Sequence, residues 1–116
     1  MLTRLFLKIS IIAISLLAVV GVSQARGLNE IIESKTIRIG VNPNFPPMSS
    51  YGSTNEFEGF DIDIGNKIAA ALGVEAKFVP TETPQRVPFL VSDKIDISLG
   101  ALTRTTARSL LISYTA

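Results

Sequence analysis

Cysteine, histidine and tryptophan are absent from this sequence. Without cysteine there is no disulfide, no thiolate metal site, no catalytic thiol and no lipid-modified cysteine at an export junction. Without histidine the commonest general base and metal ligand is missing. An excess of one charge sign is missing too, with 11 lysines and arginines against 10 acidic residues, and no basic block. Nucleic-acid binding therefore has no electrostatic support. No glycine-rich phosphate loop and no nucleophile–base pair is evident, so neither a cofactor nor a metal is implied. Internal repeats and low-complexity tracts are absent as well, and 116 residues allow one domain at most.

What the chain has is apolar residues, unevenly spread. Mean hydropathy is +0.38, and much of it comes from the start. Arg4 and Lys8 precede an apolar run from Ile9 to Val22, which ends in Ser23-Gln24-Ala25. A basic start, an apolar middle and small residues before a cleavage point are the layout of a secretory signal peptide. The run is shorter than the roughly 20 residues that span a bilayer. The expectation is a signal peptide over 1–25, cleaved to leave 26–116 as one exported, soluble segment. Cleavage removes Arg4 and Lys8, leaving nine basic residues against ten acidic ones.

Beyond the leader the pattern alternates. Leu28, Ile31 and Ile32 stand at helical spacing between Gly27 and Ser34, and Thr36–Val41 reads as a strand rich in β-branched residues. Pro43, Pro46 and Pro47 make Asn42–Met48 a rigid loop carrying Phe45. A polar turn, Tyr51–Asn55, leads to a brief extended piece at Phe57–Phe60. Asp61 or Asp63 is expected to cap a helix ending near Leu72, with Ile64, Ile68, Ala71 and Leu72 inward and Gly73 as its left-handed C-terminal residue. A second strand is expected over Val74–Val79, stopped by Pro80. A short helix over Gln85–Val91 follows Pro84, with Val87, Leu90 and Val91 inward and Pro88 against the pattern. A third strand covers Ile95–Leu99, a helical turn follows Thr105, and Leu111–Tyr114 reads as extended.

Strand, helix, strand, helix, strand with short links implies an α/β fold, a parallel sheet with helical crossovers. In such sheets ligands sit beyond the carboxyl ends of the strands. Those ends lead into three loops, at residues 42–48, 80–84 and 100–106. The third lies within Leu99–Arg108, where a strand pattern gives way to small and hydroxyl residues and a helical turn carrying an arginine. A helix start attracts an anion through its free N–H groups, and a guanidinium grips a carboxylate through two parallel bonds. Arg108 is therefore a candidate carboxylate ligand or a surface arginine. Thr103 is a candidate second donor or a turn residue, and Phe45 a stacking ring or a plug at the core edge. Gly100 permits close backbone approach or a tight turn. Asp61 and Asp63, two apart on a helix, do not share a face and read as caps.

An ordered series of motifs resembles one family. Ile37-Arg38-Ile39-Gly40-Val41, Phe45-Pro46-Pro47-Met48 and Gly59-Phe60-Asp61-Ile62-Asp63-Ile64 come first. Ile68-Ala69, Leu72-Gly73-Val74, Arg86-Val87-Pro88-Phe89-Leu90 and Lys94-Ile95-Asp96-Ile97 follow, and Gly100-Ala101-Leu102-Thr103-Arg104-Thr105 with Arg108 closes it. From about Leu28 onward the chain resembles family-3 extracellular solute-binding proteins of polar amino-acid ABC transporters, of the type 2 periplasmic-binding fold. That resemblance implies two hinged lobes closing on one amino acid, here with lobe 1 incomplete and lobe 2 beyond Ala116. It also implies a monomeric receptor that does no chemistry and delivers its cargo to an inner-membrane ABC permease. The family's α-carboxylate-binding arginine falls on Arg108, its hydroxyl contact on Thr103, its small ligand-contacting residue on Ala101 and its stacking aromatic on Phe45. Asn42 stands where some binders of basic amino acids carry aspartate. The resemblance extends to periplasmic cyclohexadienyl (arogenate or prephenate) dehydratases and to the sensory lobes of membrane-bound receptors, which share the fold. With one lobe of the clamp, residues 26–116 alone are expected to bind ligand weakly or not at all.

Overall fold

The structure is a computed structural model and describes residues 25–115. The expected leader lies outside the described residues, apart from Ala25. Helix α1 (Leu28–Ser34) opens with the Glu30 side chain accepting the Gly27 amide at 2.8 Å. It ends on Lys35 in the left-handed region, which turns the chain straight into strand β1 (Thr36–Val41). Ile37, Ile39 and Val41 point alternately into the core and are essentially fully buried, as a period of two requires.

β1 is the centre of a three-stranded parallel sheet of order β5-β1-β6. β5 (Glu75–Pro80) pairs along its whole length, from Thr36 opposite Glu75 to Val41 opposite Pro80. β6 is only Ile97–Ser98, shorter than the predicted Ile95–Leu99. The ladder still continues one bond each way, from the Asp96 amide to the Arg38 carbonyl and from the Leu99 amide to the Gly40 carbonyl. Among the described residues, β5 and β6 are both edges.

Between β1 and β5 lie a small antiparallel sheet, β2 (Asn44–Phe45), β3 (Ser49–Tyr51) and β4 (Phe57–Glu58), and then helix α2 (Phe60–Leu72). The sequence reads Asn42–Met48 as loop throughout. Asn44 and Phe45, the pair between the prolines, keep their N–H groups and pair with Ser50 and Ser49.

α2 differs from expectation in two respects. Its N-cap is Gly59 at φ +126°, and neither Asp61 nor Asp63 caps it. The carbonyls of Pro47 and Met48 instead accept the amides of Phe60 and Asp61, at 3.2 and 2.8 Å. The orphan donors of the first turn are thus met by a neighbouring loop, which leaves Asp61 free to turn inward. The buried face is Ile62, Gly65 and Ala69, with Ile68 and Leu72 half-buried at its margin and Ala71 exposed. Gly65 sets that phase: a Cβ there would lie 2.6 Å from Phe78 Cε1 and 3.1 Å from Ile39 Cδ1, so the helix approaches the sheet at its glycine. Gly73, left-handed as predicted, ends α2.

After β5, a 3-10 turn at Thr83–Gln85 containing Pro84 leads into α3 (Arg86–Val91). Pro88 is tolerated because it falls in the first turn, where its missing N–H would have no helical partner. The inward residue is Arg86, 4% exposed, whereas Val91, predicted inward, is 46% exposed. α4 is the single turn Thr106–Ser109, and Leu111–Tyr114 joins no strand.

Candidate ligand site

The carboxyl ends of β1, β5 and β6 open onto one edge of the sheet, and the loops after all three meet there. Asn42 and Phe45 follow β1, Thr83 and Arg86 follow β5, and Gly100 and Ala101 follow β6. Together they line a pocket of about 150 Å³. A larger apolar depression of about 670 Å³ lies along β6, lined largely by Ile64, Ile68, Leu90, Ile97, Leu99 and Ile112. It offers area to cover and few polar groups, so the smaller pocket is the better place for a polar ligand.

Of the four predicted ligand residues, Phe45 and Ala101 line this pocket and Thr103 and Arg108 do not. Phe45 is 41% exposed, so it is not a core plug. Ala101 adopts φ +49°, next to Gly100 at φ +100°. Thr103 is exposed, and its carbonyl accepts Arg108 Nη1 at 2.8 Å. The Arg108 amide donates to Thr105 Oγ1 at 3.3 Å. That last bond removes one argument made from sequence. α4 is one turn of four residues whose cap is already satisfied by its own chain, so it supplies no anion site through its dipole.

The sequence reading missed Arg86 and Asp61 as a site pair. Arg86 Nη1 donates to the Gly100 carbonyl. Asp61 is 8% exposed, and among the described residues its Oδ2 and Arg86 Nε have no hydrogen-bond partner. Both side chains press on Gly100, where a Cβ would lie 3.2 Å from Arg86 Nη2 and 3.3 Å from Asp61 Oδ2. Burial pushes the Asp61 carboxyl above its usual pKa, against the pull of Arg86. Burial also lowers Arg86, opposed by Asp61 and reinforced by the neighbouring Arg108 cation. The available signal was spacing: Arg86 and Leu90 are four apart and share a face of α3.

In this parallel-sheet lobe, the polar pocket where three strand ends meet is the place at which α/β sheets bind ligands. Residues 37–116 match the family pattern of bacterial extracellular solute-binding proteins, family 3, and the chain belongs to that family. It is 34% identical over 108 residues to the lysine/arginine/ornithine-binding periplasmic protein of Escherichia coli K12, covering 93% of this chain and 40% of that protein. The chain thus spans about two fifths of that relative's length. It is also similar to the arginine-bound form of domain 1 from TmArgBP, at 30% identity and a TM-score of 0.70, over 75% of this chain and 69% of that one. An ancestral cyclohexadienyl dehydratase is similar at 38% identity and a TM-score of 0.68, over 75% of this chain and 36% of that one.

Proposed function

We propose that this chain is the first lobe of a periplasmic receptor that captures a free amino acid by its α-carboxylate for an inner-membrane ABC permease. Residues 1–25 act as the cleaved leader, and the exported protein works as a monomer without catalysis. Thr103 and Arg108 hold the carboxylate, Phe45 stacks over the ligand, and Ala101 offers its backbone. The observation that carries the reading is the convergence of three strand-end loops on one polar pocket, with the Arg86 guanidinium in its lining and the Arg108 cation near enough to act on Arg86. A carboxylate entering that field gains charge-assisted bonds, which strengthen as the cleft closes and excludes water.

The pocket lining has no carboxylate. Asn42, which stands where some binders of basic amino acids carry aspartate, lines the pocket, and this weighs against a lysine or arginine ligand. Of the expectation that residues 26–116 alone bind weakly or not at all, the arginine-bound domain 1 of TmArgBP supports weak binding. The dehydratase reading rests on the similarity to the ancestral enzyme. Against it, the one acid near the pocket with a raised pKa, Asp61, faces Gly100 and does not line the pocket. Incubation with prephenate, with phenylpyruvate as the readout, separates the two readings.

The deciding experiment is calorimetry on the full-length protein with Arg108→Ala. Removing the guanidinium leaves the ligand carboxylate desolvated without its partner and is expected to cost about 2–5 kcal/mol of affinity. Unchanged affinity would refute the role given to Arg108.

A further inference from the structure

The joint between β6 and the ligand loop is a two-residue left-handed turn, Gly100 at φ +100° and Ala101 at φ +49°. Glycine takes this conformation freely. Alanine does so at a cost of about 1–2 kcal/mol and keeps it only where its surroundings enforce it. Everything assigned to the α-carboxylate, Thr103 and Arg108, hangs from this joint.

One side chain grips it. Arg86 lies almost wholly buried at the start of α3 and gives Nη1 to the Gly100 carbonyl. Its Nη2 lies against the Gly100 backbone, and Asp61 Oδ2 closes on the same point from α2. Arg86 therefore ties a helix on one side of the sheet edge to the turn on the other, with Asp61 as the local counter-charge. The guanidinium is aimed at the protein's own carbonyl, and its Nε has no partner.

We propose that Arg86 is a positioning residue for the carboxylate clamp. By holding the Gly100 carbonyl it keeps Gly100–Ala101 left-handed and so aims Thr103 and Arg108 at the ligand. The assignment rests on the α-carboxylate reading above. It makes Arg86 a determinant of how well the ligand's common end is recognised, and not of which side chain is accepted.

The test uses the full-length protein, the twenty common amino acids as probes, and the α-carboxamides of those that bind. Three variants are compared: Arg86→Lys, the double variant Asp61→Asn/Arg86→Met, which leaves no lone buried charge, and Arg108→Ala. Thermal melts accompany each. The double variant is expected to weaken every binding amino acid by a common factor of about ten or more, and to shrink the preference for free acid over α-carboxamide by that same factor. Arg86→Lys, which keeps one donor within reach of the carbonyl, should fall between it and the parent. A destabilised but correctly aimed lobe would lose melting temperature and keep its acid-over-amide preference. That preference surviving in the double variant overturns the inference, and so does a loss confined to ligands with acidic side chains, which would place Arg86 in direct contact with the ligand. If Arg108→Ala also leaves the preference intact, or the parent binds none of the probes, the α-carboxylate reading itself fails.

Discussion

The two ends of the parallel sheet use the same residue types for opposite purposes. At the amino ends of the strands, Asp96 is 1% exposed and saturated with donors. It accepts Arg26 Nη2 at 2.6 Å, Arg38 Nη2 at 2.7 Å and the Arg38 amide at 2.7 Å. Asp93 takes a second bond from the same Arg38 guanidinium, also at 2.7 Å. These bonds pull Asp96 well below the usual carboxylate range, overcoming a burial effect that acts the other way. At the carboxyl ends, Asp61 and Arg86 are similarly buried, yet each keeps an unpartnered polar atom, and burial dominates the shift of each. A saturated acid–base cluster closes one end of the sheet. An unsaturated one stands beneath the loops that line the pocket. The difference lies in the count of bonds each carboxylate receives, since the residue types are the same.

That contrast can be broken from the satisfied end. Asp96→Ala takes the shared carboxylate from Arg26 and leaves Arg38 with Asp93 alone, and is expected to destabilise the protein by about 3–5 kcal/mol, read from urea unfolding. Ligand affinity extrapolated to the folded fraction should not change. Acid unfolding sharpens the comparison. Asp96 has a depressed folded pKa, so its contribution is complete above the unfolded carboxylate value of about 3.9 and is lost as pH falls below it. Asp61 has a raised folded pKa and takes up its proton in the folded state first, so it offsets part of the loss on acidification. Asp96→Asn should therefore flatten the acid limb of a stability–pH curve, and Asp61→Asn should steepen it. The smallest effect belongs to the exposed ring at the open end. Phe45→Ala should leave the melting temperature nearly unchanged and cost ligand affinity about 0.5–1.5 kcal/mol, by calorimetry.

Legibility in the sequence followed the same division. β1, α1, the end of α2 at Gly73 and the parallel order were readable because each depends on local pattern: β-branched alternation, helical spacing, a glycine at a left-handed position. Phe45 and Ala101 were readable as pocket residues through their loops and the family motifs. Arg86 and Asp61 were not. A buried arginine one residue after a proline-containing turn looks like a solvated helix start, and only the tertiary approach of Gly100 gives it a partner. Asp61 looked like a cap because caps are usually supplied by side chains. Here the Pro47 and Met48 carbonyls do that work from a loop that local propensity cannot place. On α2, Ile68 and Leu72 pack against the core as expected and Ala71 is exposed; hydropathy did not point to Gly65, whose bare backbone allows the close approach to Phe78.

Among the described residues β1 is the first strand and the middle strand of the sheet. A chain made from its amino end produces Ile37, Ile39 and Val41 early, with Ile31 of α1 as the one core neighbour ahead of them among the described residues. Their neighbours on one side arrive with β5 and on the other only with β6, where Arg38 and Asp96, bonded in the finished fold, stand 58 residues apart. The sheet therefore cannot grow outward strand by strand from its beginning. Its centre waits on both edges, and closure of the core falls late and close to a single event, the behaviour of a fold rich in long-range contacts.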